Sequence, residues 1–200
     1  MNYHGLKIEI EHDSDAESPR EWDNIGVMVC FHKRYRLGDK HDLRSGDFGG
    51  WDQVETYLRR EKGAVIVLPL HLLDHSGLRL KVGSFLGHAP HAEWDSGQVG
   101  FIYATREAVI REYGLWCRMT RAALGKAEKY LRGEVETYDA YLSGDVHRWA
   151  VLDESGEAVE SCGGCYGYEY AETEAKRAAD AILAERAKTL AGVNAGGDGI

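Results

Sequence analysis

The sequence predicts an α+β domain, a mostly antiparallel sheet with helices packed on it and an amphipathic helix near the C-terminus. Three observations carry that reading. Short apolar runs of strand length recur along the chain. Helical spacing falls among them without the regular strand–helix–strand alternation that a parallel sheet requires. Hairpin-length gaps outnumber crossover-length ones.

The elements follow in order. Residues 6–10 set Leu6, Ile8 and Ile10 against Lys7 and Glu9, the alternation of a half-buried strand. Residues 12–19 are acidic and serine-rich and predict a loop. Residues 27–31 form a continuous apolar run, a candidate central strand. Residues 39–50 read as a charged, glycine-rich surface loop. A helix follows over residues 51–61, with Val54, Tyr57 and Leu58 on one face and Gly63 as its stop. Residues 64–68 are β-branched and apolar, a buried strand that Pro69 is expected to end. Residues 78–82 alternate, so one face is wet. Residues 99–103 are apolar, and Thr105 stands as an N-cap with Glu107 in the first turn of a helix ending near Gly114. Two further helices are predicted, at 118–131 through Leu124, Ala127 and Leu131, and at 134–142 through Val135, Tyr138 and Leu142. Strands at 146–152 and 157–161 flank a turn closed by Gly156. The clearest helix is 171–190, with Ala175, Ala178, Ile182 and Leu183 as its stripe and Glu172–Lys176 as an i,i+4 pair. A single domain over 1–190 is expected, with a flexible tail at 191–200.

Composition bounds the function. With 44% hydrophobic and 28% charged residues, wholesale disorder is excluded. No apolar run approaches the roughly 20 residues that span a bilayer, and no basic-then-apolar leader is visible, so a cytoplasmic protein is expected. A net charge of −9 repels phosphate backbones and disfavours direct nucleic-acid binding by counterion release. The four cysteines read as reduced thiols, with Cys30 and Cys117 in the core. Cys162 and Cys165 are half of a zinc or redox motif, but the histidines that could complete it (His71, His75, His88 and His91) lie far upstream. Neither a metal nor a cofactor is predicted.

Three polar constellations could carry chemistry. Asp74, His75 and Ser76 are the residue types of a hydrolytic triad, yet neighbours on an extended chain point to opposite faces, and turn chemistry explains the same residues. Trp94, Asp95 and Gln98 read either as a polar pocket with an aromatic wall or as a structural loop feeding the next strand. Asp74, His75 and Asp95 could converge as a metal-binding or acid–base set if their strands pair. Arg20, Trp22 and Asp23 precede a buried strand, where Arg20 could pair with a carboxylate and Trp22 close over the loop. The glycine-rich run at 162–168 lacks the lysine of a phosphate loop, and Tyr166 and Tyr168 are expected to pack inward.

Three segments form a set: PREWDNIG at 19–26 with HKRYRLGD at 32–39, DHSG at 74–77 with WDSGQVG at 94–100, and EVETYDAYLSG at 134–144 running into 153–167. With these segments in this order, the chain resembles a family of bacteriophage and mobile-element proteins over roughly residues 6 to 180. The resemblance transfers no catalytic roles. It implies an accessory protein acting in the cytoplasm of a bacterial host, where small acidic proteins counter host defence in the manner of an anti-CRISPR. The leading expectation is therefore an inhibitor that binds a host immune effector protein, such as a CRISPR–Cas complex, through an acidic face drawn from Glu9, Glu11, Asp13, Asp15 and Glu17. The alternative is a small hydrolase or nucleotide-binding sponge using Asp74, His75, Trp94, Asp95 and Gln98 in one cleft.

Overall fold

The computed structural model describes residues 1–114 and 119–195, with side chains through 189. The expected core position of Cys117 and the end of the expected tail lie outside the described residues. In chain order the elements are β1 (Asn2–Tyr3), β2 (Leu6–His12), β3 (Val27–Cys30), α1 (Trp51–Glu61), β4 (Ala64–Asp74), β5 (Leu78–Val82), α2 (Ala92–Asp95), β6 (Ser96–Thr105), α3 (Arg106–Glu112), α4 (Arg121–Ser143), β7 (Val146–Leu152), β8 (Ala158–Tyr166) and α5 (Tyr168–Ala195). Short 3-10 turns occupy Pro19–Glu21 and Ser45–Asp47. The α+β class and the antiparallel pairing are as the sequence predicts, with two four-stranded sheets. The chain resolves into two compact units, Met1–Glu17 with Gly144–Ile200, and Ser18–Ser143.

The inner unit, Ser18–Ser143, carries the sheet β3-β6-β4-β5. One face packs Val29, Val67, Phe101 and Tyr103 against Val54 and Leu58 of α1. The other packs Met28, Leu68, Leu70, Leu72 and Ile102 against Ala127, Leu131, Val135 and Tyr138 of α4. Burial on both faces explains why 64–68 reads as a continuous apolar run rather than an alternating one. Thr105 caps α3 by accepting from the Ala108 amide at 3.1 Å.

Two boundaries differ from expectation. Pro69 does not end β4, which continues to Asp74. The Pro69 carbonyl accepts from Gly83 N, just beyond the end of β5, so the missing N–H points off the strand end and costs no ladder bond to β6. The two helices expected at 118–131 and 134–142 are one helix, α4, running through Gly133. A mid-helix glycine costs about 1 kcal/mol relative to alanine. Burial of Leu131 and Val135 on either side outweighs it.

The terminal unit carries the sheet β1-β2-β7-β8. Ala171, Ala175 and Ala179 of α5 lie fully buried against Leu6, Ile8, Trp149, Val151 and Cys165. The innermost stripe is thus this alanine row, with Ala178, Ile182 and Leu183 flanking it. The turn at 153–156 forms as predicted: Asp153 Oδ1 accepts from Ser155 N at 2.9 Å and Glu157 N at 3.1 Å, and Gly156 takes φ +85°. β8 extends past the expected strand through Cys162 to Tyr166. Tyr168 does not pack inward; it is half exposed, edge-on to His147.

Candidate functional site

The 18–26 loop owes its shape to Arg20. Ser18 caps the 3-10 turn by accepting from Arg20 N at 3.3 Å, and Pro19 is buried. The Arg20 guanidinium is almost wholly enclosed. It forms a bidentate pair with Asp39 (Nε to Oδ1 2.9 Å, Nη2 to Oδ2 2.7 Å) and donates from Nη1 to Glu134 Oε2 at 2.9 Å and from Nη2 to the Gly26 carbonyl at 2.7 Å. The second Glu134 oxygen accepts from the amides of Ile25 (3.1 Å) and Gly26 (3.0 Å), and Asp39 Oδ2 accepts from Met28 N at 2.7 Å. Every charged atom thus has a partner, as buried ions require. Burial pushes the Glu134 carboxyl up, with Arg20 and the two amides pulling it back. The cluster fixes loop, β3 and α4 relative to one another. It is enclosed and holds no group free to act on a substrate, so Arg20 is a structural clamp.

The sequence singles out Arg20 but misses Asp39 and Glu134. A signal for Glu134 exists: it stands within the apolar α4 stripe of Ala127, Leu131, Val135 and Tyr138, and it is buried.

The Asp74–Gln98 set is brought together only in part. His75 Nδ1 lies 2.7 Å from Asp95 Oδ2, and the His75 ring stacks on His91 at 5.0 Å between centroids. Asp74 turns elsewhere: it binds Arg34, and Tyr35 donates to its Oδ1 at 3.4 Å. The physical reason is strand alternation. Asp74 continues the Leu70–Leu72 face that meets α4, whereas α2 packs Ala92 over Leu73 on the other. The five-residue cleft expected from sequence therefore does not assemble. Ser76 is an exposed turn residue at φ +55°. The Gln98 amide donates to the Gly100 carbonyl at 3.3 Å, within its own strand. The outcome is a His–Asp pair at the surface beside Trp94, which is 84% exposed. Leu86, in the loop ahead of α2, is 59% exposed. Among the described residues no three His, Cys, Asp or Glu side chains come together as a metal site.

Part of the acidic first segment is engaged in local bonds. Glu9 pairs with Lys7 at 2.6 Å and Glu11 with Arg148 at 2.8 Å, across the open sheet face. Asp13 accepts from the amides of Asp15 (3.2 Å) and Gly164 (2.8 Å), and the Glu17 carbonyl accepts from the Tyr166 hydroxyl. Two of the five carboxylates, Glu9 and Glu11, are thus ion-paired, and a third, Asp13, is hydrogen-bonded. Cys162 is exposed and Cys165 buried, both as free thiols.

A second feature was not legible. A groove of about 470 Å³ runs between the 18–26 loop and α4. Trp22 lines it from the loop and is 47% exposed; Tyr130 lines it from the helix and is 46% exposed. Lys126, Lys129, Gly133 and Thr137 share the helical side, one face at i, i+3, i+7 and i+11, and Glu134 also lines it, with its carboxylate bound to Arg20. Asn24 holds the loop closed by donating to the carbonyls of Pro19 (2.8 Å) and Trp22 (3.0 Å). Asp23 is exposed.

Comparison with protein-family models, with curated proteins and with solved structures finds no match to this chain.

Proposed function

We propose that this chain is a binding protein, an accessory of a phage or mobile element that holds a bacterial defence effector of the CRISPR–Cas kind in a stoichiometric complex in the host cytoplasm. The observation that carries the binding reading is Trp94. An indole 84% exposed is held on a surface that is not itself loose, because Asp95 binds His75, His75 stacks on His91, and Ala92 is buried on Leu73. Exposed apolar side chains on a fixed base are what interface anchors look like, and tryptophan is among the commonest. Leu86, in the loop ahead of α2, is a second exposed apolar side chain of this segment. The setting, a bacterial defence partner, comes from the motif resemblance and from the acidic charge. Catalysis is disfavoured by the division of the polar set between two faces of β4.

The docking surface is accordingly placed on α2 rather than on Glu9, Glu11, Asp13, Asp15 and Glu17. The test is capture by the tagged full chain from lysate of a host with active defence systems, with mass spectrometry. One defence complex at fixed stoichiometry, lost with Trp94→Ala and kept with Glu11→Lys, is the expected result. Capture indifferent to Trp94→Ala, or recovery of no defence protein, rejects the reading.

A further inference from the structure

The groove between the 18–26 loop and α4 is separate from Trp94, and its chemistry points to a different occupant. Its two walls are aromatic, Trp22 from one element and Tyr130 from another. Its helical side carries two exposed ammonium groups, Lys126 and Lys129, one turn apart and in no ion pair among the described residues. In a chain of net charge −9, two lysines outside any ion pair among the described residues, in a groove whose Glu134 is neutralised by Arg20, are a local reversal of charge. They select an anion, and the flat walls select a planar ring.

The groove also has room. Gly133 lies on its helical side, and a Cβ built there would meet nothing within 4 Å. A helix-interior glycine is disfavoured relative to alanine, and packing does not require it here. What its absent side chain leaves is open space on the helical side of the groove. The volume of about 470 Å³ falls in the range of small-ligand sites. The loop wall is fixed by the Asn24 bonds and the Arg20 clamp, so the site is built before a ligand arrives.

We propose that this groove binds a free nucleotide, with the base against Trp22 and Tyr130 and the phosphate on Lys126 and Lys129. A planar base satisfies the aromatic walls, which an aspartate or glutamate side chain of an acidic peptide does not. A mononucleotide rather than a strand is favoured because the overall negative charge repels a polymer of phosphates.

The test is calorimetric titration of the purified full chain with AMP, inorganic phosphate, a short single-stranded oligonucleotide and hexaglutamate. Saturable one-to-one binding of AMP, tighter than that of phosphate, is expected. The double variant Lys126→Ala/Lys129→Ala should weaken it at least tenfold, since charge-assisted bonds to phosphate are lost. Tyr130→Ala should weaken it about tenfold through lost stacking. Gly133→Leu should abolish it by filling the space, with a thermal melt confirming the fold, while Trp94→Ala should leave it unchanged. No AMP binding, or phosphate binding as tightly as AMP, overturns the proposal. Tighter binding of the oligonucleotide or of hexaglutamate also overturns it, and names the polymer or an acidic protein segment instead. Because Trp94 is absent from this groove, failure here leaves the effector-binding reading standing, and the reverse.

Discussion

Replacing Glu134 by leucine should be among the most damaging single changes in the inner unit. The substitution removes the acceptor for Arg20 Nη1 and for the Ile25 and Gly26 amides, all in the interior. Arg20 keeps its bidentate pair with Asp39 and its bond to the Gly26 carbonyl, so the cation is only partly stranded. Breaking a buried pair from one side costs about 3–5 kcal/mol, and each stranded amide about 1–3 kcal/mol before relaxation. These overlap, and a net loss of about 4 kcal/mol is expected. Glu134→Gln should cost about half as much, because one amide oxygen can still serve the two backbone donors. The assay is urea unfolding followed by tryptophan fluorescence, reading the inner unit separately if two transitions appear. There is also a sign to check. Burial raises the Glu134 carboxyl, so the folded state holds its proton more tightly than the unfolded chain. Stability from this group is full below the ordinary carboxylate value and drains as pH rises through the raised one. The wild type should therefore fall relative to Glu134→Gln across that window. A leucine variant within 1 kcal/mol of wild type would refute the clamp; a wild type that gains on the glutamine variant as pH rises would show instead that pairing with Arg20 outweighs burial at this carboxyl.

Four further outcomes are expected. Gly100→Ala should fold poorly or not at all, since a Cβ there would stand 1.9 Å from the Val29 carbonyl oxygen; circular dichroism and yield of soluble protein report it. Gly133→Ala should instead raise stability by about 0.5–1 kcal/mol, because the new methyl meets nothing and helix propensity improves; a thermal melt measures it. At pH 8 an alkylating reagent should label Cys162 first and Cys30 at least about a thousandfold more slowly, since burial pushes the Cys30 thiol up to about 12. The same shift has a stability sign: its contribution is present below about pH 9 and lost as pH rises toward 12, so Cys30→Ala should flatten the alkaline decline of the unfolding free energy.

Local pattern made much of the fold legible. Alternation at Leu6–Ile10 and the helical spacing of Val54 and Leu58 depend on neighbours within two turns, and both elements appear as expected. Thr105 and Gly156 act through bonds to residues no more than four positions away, so their roles could be read directly. What failed depended on distance in sequence. Whether Pro69 ends a strand depends on where β5 stops. Whether Asp74 and Asp95 meet depends on which face α2 covers. Glu134 and Arg20 are 114 positions apart, and no local rule joins them. Three glycines of the quoted segments have a packing explanation: Gly26 leaves room for Glu134, Gly38 for the Met28 carbonyl, and Gly100 for β3.

The terminal unit is assembled from both ends of the chain, with the whole inner unit between them. Glu11 and Arg148 face each other across β2 and β7 yet are separated by 137 positions. During synthesis, β2 leaves the ribosome early and waits with an unpaired edge while Ser18–Ser143 is made. At about 5–20 residues per second that interval lasts on the order of ten seconds, long compared with the folding of most small domains. The inner unit can be complete before β7 exists. Arrest just after Ser143 would therefore leave a finished inner unit with β2 exposing its Leu6 and Ile8 face unpaired by β7, the state of this protein most exposed to strand-to-strand aggregation.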